Sequence, residues 1–237
     1  MKLALLEKLL AARRDGVPAA LATDLATGAQ SLVDADRVEG DLALDAEGLA
    51  QVRQAIADDT SRTVEAADRK IFVEVSNPPL RMIIVGAVHI AQALAPMAAI
   101  GGWRVTIIDP RAAFAAAERF PDVAMVNDWP DEVLPGLKPD RRTAIVTLTH
   151  DPKIDDPALH AALRSDAFYV GSLGSRRTHG KRVDRLTAAG FGESQIARIH
   201  APVGLAIGAL TPAEIAISIM AQVTATLRRA APLRPAA

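Results

Sequence analysis

Cysteine is absent from the 237 residues of this chain. Disulfide bonds, thiolate ligands for a metal and a cysteine nucleophile are therefore excluded. Aromatic residues make up only 3% of the sequence while half of it is hydrophobic, so the core must be built from aliphatic side chains. The 27 basic and 28 acidic residues nearly cancel, and this balance gives no electrostatic reason to expect a nucleic acid as partner.

Long apolar runs are also missing. No stretch approaches the roughly 20 apolar residues that a helix needs to cross a bilayer. Residues 1–14 alternate Leu and Ala with charged side chains, which predicts an amphipathic helix and not a signal peptide, whose apolar region would be unbroken by charge. We therefore expect a cytoplasmic protein without membrane contact.

Paired prolines divide the sequence. Pro78 and Pro79 follow Ser76 and Asn77, and they end regular structure because proline lacks an amide donor and restricts φ. Residues 1–78 contain short helical and strand-like segments, which predict a small α+β domain. In residues 79–237 fully apolar strands alternate with helices, as is typical of a parallel sheet covered on both faces. The predicted fold class is α/β, a Rossmann-like parallel sheet domain preceded by the small α+β domain.

A glycine turn follows the first strand of the second part and opens a helix, and it reads Gly86-Ala87-Val88-His89-Ile90-Ala91. A dinucleotide fingerprint requires three glycines here, for the tight turn, the pyrophosphate approach and helix packing. Gly86 is the first and Ala91 replaces the third, but Val88 replaces the second and argues against ordinary NAD or NADP binding. Asp109 ends the next strand, where an acidic residue roughly 20 residues on would hold ribose hydroxyls. A plain strand-turn-helix junction remains the alternative.

A second polar segment follows a later strand; it begins at residue 149 and reads Thr-His-Asp-Pro-Lys-Ile-Asp-Asp. His150 can exchange a proton near neutral pH. Asp151 and Asp155 can orient it or accept ligand hydrogens. In the alternative interpretation His150 only satisfies loop backbone, while Asp155 or, preferably, Asp156 caps a helix whose first residue is Pro157.

A third segment is rich in hydrogen-bond donors, and it reads Gly171-Ser172-Leu173-Gly174-Ser175-Arg176-Arg177. Its glycines allow backbone amides to converge, and its serines and arginines supply further donors. Because it precedes a helix, the helix N-terminus adds a favourable dipole. These features are those that a phosphate needs. The alternative is a solvated basic helix start that continues through Lys181, Arg182 and Arg185.

Together these segments resemble the xanthine dehydrogenase accessory factor family (XdhC/CoxI). The resemblance covers roughly residues 79–227 and also rests on two further segments, His200-Ala201-Pro202-Val203-Gly204-Leu205 and Thr211-Pro212-Ala213-Glu214-Ile215-Ala216-Ile217-Ser218-Ile219. Members of this family have a C-terminal Rossmann-like domain. The best-studied type binds the molybdenum cofactor, holds it while a cysteine desulfurase makes it sulfurated, and delivers it to the hydroxylase.

The resemblance implies a maturation factor for a molybdenum hydroxylase of the xanthine dehydrogenase type, a chaperone that need not catalyse any reaction and supplies no metal ligand. It would bind the molybdenum cofactor (molybdopterin) transiently, and its partners would be a cysteine desulfurase and the hydroxylase itself; a homodimer stays open. The expected cofactor-binding residues are Gly86, His89, Asp109, His150, Asp151, Gly171, Ser172, Gly174, Ser175, Arg176 and Arg177. Two alternatives remain, an NAD(P)-dependent oxidoreductase that uses the same crevice and a non-catalytic interaction module.

The sequence departs from the family pattern in three places. The Gly-Ser-x-Pro-Arg and Gly-Gly-Cys segments that are common in the family's N-terminal domain do not occur, so residues 1–78 look like a reduced version of it. The lack of cysteine excludes thiolate attachment of molybdenum. Ala206 stands where an acidic residue is usual. Binding through the pterin phosphate would survive these losses, because Arg176 and Arg177 remain.

Overall fold

A computed structural model of the chain describes residues 2–114 and 117–228. The chain forms two compact units, of which the first ends at Pro78 and the second begins at Pro79. Within the described residues, no helix combines the length and the apolar character that crossing a bilayer requires.

The first unit is an antiparallel sheet with two helices. Its elements are α1 (Leu3–Asp15), β1 (Ala19–Asp24), β2 (Gln30–Val33), β3 (Val38–Gly40), α2 (Ala46–Asp58), β4 (Arg62–Ala66) and β5 (Arg69–Ser76). The strand order is β3-β2-β1-β5-β4. Alternate residues of β5, such as Ile71 and Val73, are buried together with Val52 and Ala55 of α2, because one face of the sheet needs an apolar cover. Strands β1 and β2 form an antiparallel hairpin in which Ala20 pairs with Val33.

The second unit is a parallel sheet with helices on both faces. Its strands are β6 (Arg81–Val85), β7 (Arg104–Ile108), β8 (Ala124–Val126), β9 (Thr143–Thr147), β10 (Tyr169–Ser172) and β11 (Ile199–His200). Its α-helices are α3 (His89–Ile100), α4 (Pro130–Leu137), α5 (Pro152–Arg164), α6 (Arg176–Ala188), α7 (Glu193–Ile196) and α8 (Pro212–Leu227). The strand order is β11-β10-β9-β6-β7-β8, and all neighbours are parallel. This is the Rossmann order: β7 and β8 lie on one side of β6, and the later strands β9, β10 and β11 lie on the other side, so the order along the chain switches sides between β6 and β9. The predicted fold class is confirmed.

The central strands divide their side chains between two cores. In β6, Met82 and Ile84 pack with α3 and α8, whereas Ile83 and Val85 pack with α4, α5 and α6. Successive side chains of a strand point to opposite faces, so a strand covered on both sides must be apolar throughout. This burial on both faces explains why the sequence of β6 contains an unbroken apolar run.

Two local predictions are wrong. The sequence predicts a helix over residues 112–119, but residues 112–114 form a turn and only Ala117–Arg119 form a short 3-10 helix, while residues 115 and 116 lie outside the described part. The turn is held because Arg111 bonds back to Asp109 and its guanidinium lies 4.2 Å from the centre of the Phe114 ring.

The start of α5 is the second correction. The helix begins at Pro152, five residues before the predicted start at Pro157, and Asp151 caps it by accepting from the amide of Lys153 at 2.9 Å. Proline is favourable at the first helical position, since its missing amide proton has no intrahelical acceptor there. Asp156 therefore lies inside the helix and is not its cap.

Candidate functional site

Four of the predicted site residues lie at one edge of the parallel sheet. Gly86 follows β6, Asp109 follows β7, His150 follows β9, and Gly171 lies near the end of β10. Because these strands are neighbours in the order β10-β9-β6-β7, their carboxyl ends meet. The strand order reverses between β6 and β9, and open α/β sheets bind ligands in the crevice at such a point.

The turn between β6 and α3 depends on Gly86. Its φ of 110° favours glycine, and a Cβ there would lie 2.6 Å from Cγ2 of Thr149. Val88 is the N-cap residue of α3, where its side chain makes no capping hydrogen bond and instead packs half-buried against the core. His89 is exposed at the first position of the helix.

Asp109 is fully buried, and its carboxylate is hydrogen-bonded to other groups of the protein. Its carboxylate accepts hydrogen bonds from the amide of Ala87 at 2.8 Å and from Nε and Nη2 of Arg111 at 2.9 and 2.8 Å. Burial alone would raise the pKa of Asp109, but the bonds from Arg111 and Ala87 hold it below its usual value. A ribose diol could reach this carboxylate only by displacing Arg111, so Asp109 organises the turns at the sheet edge.

The loop after β9 is organised by a second buried carboxylate. Asp155 accepts from the hydroxyl of Thr149 at 2.6 Å and from the amide of His150 at 3.1 Å. Burial raises the pKa of Asp155, although these bonds oppose the shift. His150 has a φ of 63° and lines the cavity that is described below. Asp151 is engaged in capping α5.

Two of the predicted ligand residues face the interior instead. A Cβ on Gly171 would lie 2.6 Å from Cγ2 of Val203, so the glycine permits close packing. The hydroxyl of Ser172 is buried and shares a 2.6 Å hydrogen bond with that of Thr147 on the neighbouring strand. These contacts hold β9, β10 and the following loop together, so the Ser172 hydroxyl is engaged within the protein and Gly171 serves packing.

The start of α6 presents cations to solvent. Gly174 has a φ of 142°, and Ser175 caps the helix by accepting from the amide of Thr178 at 3.1 Å. Arg176 and Arg177 are exposed at the first two helical positions. Their backbone amides have no intrahelical acceptor, as in the first turn of any α-helix. The arrangement favours an anion.

A cavity of about 260 Å³ opens between α5, α6 and the loop after β9. We call it the crevice cavity, and the residues that line it include His150, Asp155, Arg177, Lys181, Arg182 and Arg185. Two of the predicted site residues, His150 and Arg177, thus share one cavity.

Sequence reasoning missed Arg182, which it grouped with the solvated part of α6. Arg182 is only 2% exposed. Burial lowers its pKa, and the charge of Asp155 opposes this shift. A signal was present in the sequence, since Arg182 precedes the buried Leu186 by four residues and such residues share one face of a helix.

The strand order and the cation-bearing helix start at the carboxyl edge define a Rossmann-type α/β domain with an anion-attracting crevice. The family model described as the XdhC Rossmann domain matches residues 82–223. The chain therefore belongs to the XdhC family, as the sequence resemblance indicated.

Two curated relatives match much of the chain. The molybdenum cofactor insertion chaperone PaoD of Escherichia coli (strain K12) is 33% identical over 146 residues, which are 62% of this chain and 40% of the relative. A probable xanthine dehydrogenase subunit of Bacillus subtilis (strain 168) is 30% identical over 162 residues, 68% of this chain and 47% of the relative. The chain thus spans less than half the length of either protein.

One solved structure shares the fold. A crystal structure described as a xanthine dehydrogenase (BH1974) from Bacillus halodurans has a TM-score of 0.73 and covers 97% of this chain and 65% of its own. At 23% identity this likeness shows the fold alone.

Proposed function

We propose that this chain is an accessory factor for the maturation of a molybdenum hydroxylase, and that it binds the molybdenum cofactor transiently. Family membership supports this proposal, together with the name of the relative PaoD as a molybdenum cofactor insertion chaperone and that of the Bacillus subtilis relative as a probable xanthine dehydrogenase subunit. Sulfuration of the held cofactor by a cysteine desulfurase and its insertion into the hydroxylase in the cytoplasm are the finer parts of the proposal.

The observation that carries the proposal is the cationic start of α6. The exposed side chains of Arg176 and Arg177 and the open amides of the same turn form a donor set that suits the phosphate of the pterin cofactor. A thiolate bond to molybdenum is impossible because the sequence has no cysteine. The residues present therefore fit the phosphate end of the cofactor.

When bound, the cofactor supplies the molybdenum that the hydroxylase needs for its chemistry. The chain's own residues bind and orient: the arginines hold the phosphate, and the glycine turns at Gly86 and Gly174 let the neighbouring loops pack closely around it. The oxidoreductase alternative is disfavoured, because Arg111 occupies the carboxylate of Asp109 that a ribose would need.

The test is cofactor retention after expression in cells that produce the cofactor. Replacing both Arg176 and Arg177 by Ala should lower the pterin retained per chain, measured by fluorescence after oxidation. Charged hydrogen bonds are worth about 1.5–3 kcal/mol each, so affinity should fall on the order of a hundredfold. The thermal midpoint should change little, because exposed arginines contribute little to stability.

The matched control is Arg104→Ala, which removes an exposed arginine of β7 at the opposite edge of the sheet. It should retain as much cofactor as the wild type. A double variant that also retains the wild-type amount would place the phosphate elsewhere, and a wild type that retains none would overturn the proposed function.

A further inference from the structure

We infer that the crevice cavity is a binding site for a tetrahedral oxyanion of the phosphate class, with the buried guanidinium of Arg182 as its charge centre. The side chain that carries this inference lies nearly two helical turns beyond the exposed arginines at the start of α6. The inference concerns the chain without cofactor and does not depend on the proposed function.

The first argument is the hydrogen bonding of Arg182. A guanidinium carries five N–H donors, and Nη2 donates to the carbonyl of Leu173 at 3.0 Å. The buried Nε and Nη1 atoms meet no acceptor from residues 2–114 or 117–228. Leaving donors of a buried charged group unpaired is costly. Arg182 also lines the crevice cavity, so an anion that enters the cavity comes close to this incompletely paired guanidinium.

The second argument is the charge on the cavity wall. Arg177 and Lys181 add two cations to that of Arg182. Arg185 is held by Asp156 through two hydrogen bonds, one of them 2.9 Å between Nη2 and Oδ1, and is neutralised there.

Asp155 is the acidic residue on the same wall, and it does not accept hydrogen bonds from the unpaired donors of Arg182. The oxygens of Asp155 accept from the hydroxyl and amide of Thr149 and from the amide of His150. Asp155 therefore offers Arg182 its charge at a distance, while its hydrogen bonds go to the loop after β9. Three cations around one buried carboxylate leave the cavity positive, which favours a doubly charged anion.

The third argument is size and shape. A cavity of 260 Å³ is far larger than the roughly 10–15 Å³ that one water molecule requires. It has room for a phosphate and for part of a group that carries it. The cationic guanidinium attracts the charge of a phosphate, and Thr178 lines the same cavity.

The test titrates inorganic phosphate into the full chain by calorimetry, in a phosphate-free buffer of low salt. The wild type should bind phosphate with a measurable heat. Arg182→Met keeps the aliphatic length and removes the charged donors, so its affinity should fall on the order of a hundredfold. Arg104→Met makes the same change of charge at the opposite edge of the sheet and should leave the affinity unchanged.

A measurement on the wild-type protein tests the site even if the variant Arg182→Met does not fold. The Nε–Hε NMR resonance of Arg182 should shift as phosphate is added. A titration with adenosine monophosphate, with adenosine as its control, distinguishes the two ligands that carry a phosphate group. Tighter binding than that of phosphate indicates a phosphomonoester ligand, and weaker binding indicates free phosphate.

The inference is overturned if Arg182→Met binds phosphate as well as the wild type does, if the wild type binds no phosphate at millimolar concentration, or if the Arg182 resonance does not move. These outcomes are independent of cofactor retention. Failure of this site and failure of the proposed function are therefore distinguishable.

Discussion

Two buried aspartates at the sheet edge differ in the direction of their pKa shifts because their hydrogen-bond partners differ. Asp109 and Asp155 are both buried and both aspartates, yet the pKa of Asp109 is lowered and that of Asp155 is raised. The difference arises because Asp109 is bonded to the guanidinium of Arg111, whereas Asp155 is bonded to neutral groups. Asp109 is therefore held in its charged form by its own partner.

Asp109→Asn should destabilise the protein by about 1–3 kcal/mol at neutral pH, because hydrogen bonds to a charged group are lost. Since the folded pKa of Asp109 is below its unfolded value of about 3.9, its contribution is present above that value and is lost as the pH falls through the folded pKa. The difference in unfolding free energy between variant and wild type, measured with urea, should shrink below about pH 4.

The exposed Asp166 provides the control, and Asp166→Asn should change the unfolding free energy by less than about 0.5 kcal/mol. An Asp109→Asn protein as stable as the wild type at pH 7 would mean that the bonds to Arg111 contribute nothing.

At the scale of elements, each junction between a strand and the following helix is set by local chemistry that the sequence only partly displays. Ser175 and Thr211 cap their helices, and Thr211 forms a capping box with Glu214, as its spacing predicts. The sequence misplaces the start of α5 because Pro152 and Pro157 both suit an early helical position. Only the hydrogen bond of Asp151 to the following turn distinguishes them.

The turn after β6 allows a matched pair of glycine substitutions. Gly86→Ala should cost about 1–3 kcal/mol of unfolding free energy, because the backbone is left-handed there and the new Cβ would meet Thr149. Gly180→Ala lies within α6 with open space around it, and should stabilise the protein by about 0.5–1 kcal/mol. The midpoints of thermal unfolding of the two variants are compared. Equal midpoints would contradict the close approach of Gly86 to Thr149.

At the scale of the whole molecule, the two units differ in how they build a core. The first covers one face of an antiparallel sheet with α2, and the second buries both faces of a parallel sheet. Residues 201–211 lie outside regular elements and join β11 to α8 in the second unit. It carries the strongly exposed Leu210 and the half-exposed Ile207.

Limited proteolysis should therefore cut first in residues 205–210. The boundary near Asn77 should be cut later, because the side-chain amide of Asn77 is bonded to the carbonyl of Ile56 and to Asp59. N-terminal sequencing or mass spectrometry of the early fragments gives the order. An early cut within Met82–Val85, which the structure buries in the sheet, would show that this assignment of the sheet is wrong.

The sequence by itself determined the fold class, because a sheet covered on both faces requires apolar strands and such strands alternate here with helices. It also placed the turn at Gly86 at a strand end, whereas Gly171, which the sequence placed after a strand, lies within β10. Tertiary structure alone decided which side chains remain available to a ligand. Ser172 bonds to Thr147, 25 positions away, and Arg182 lines a cavity together with Asp155 of α5. No local pattern in the sequence displays such contacts, because they join residues that are distant along the chain.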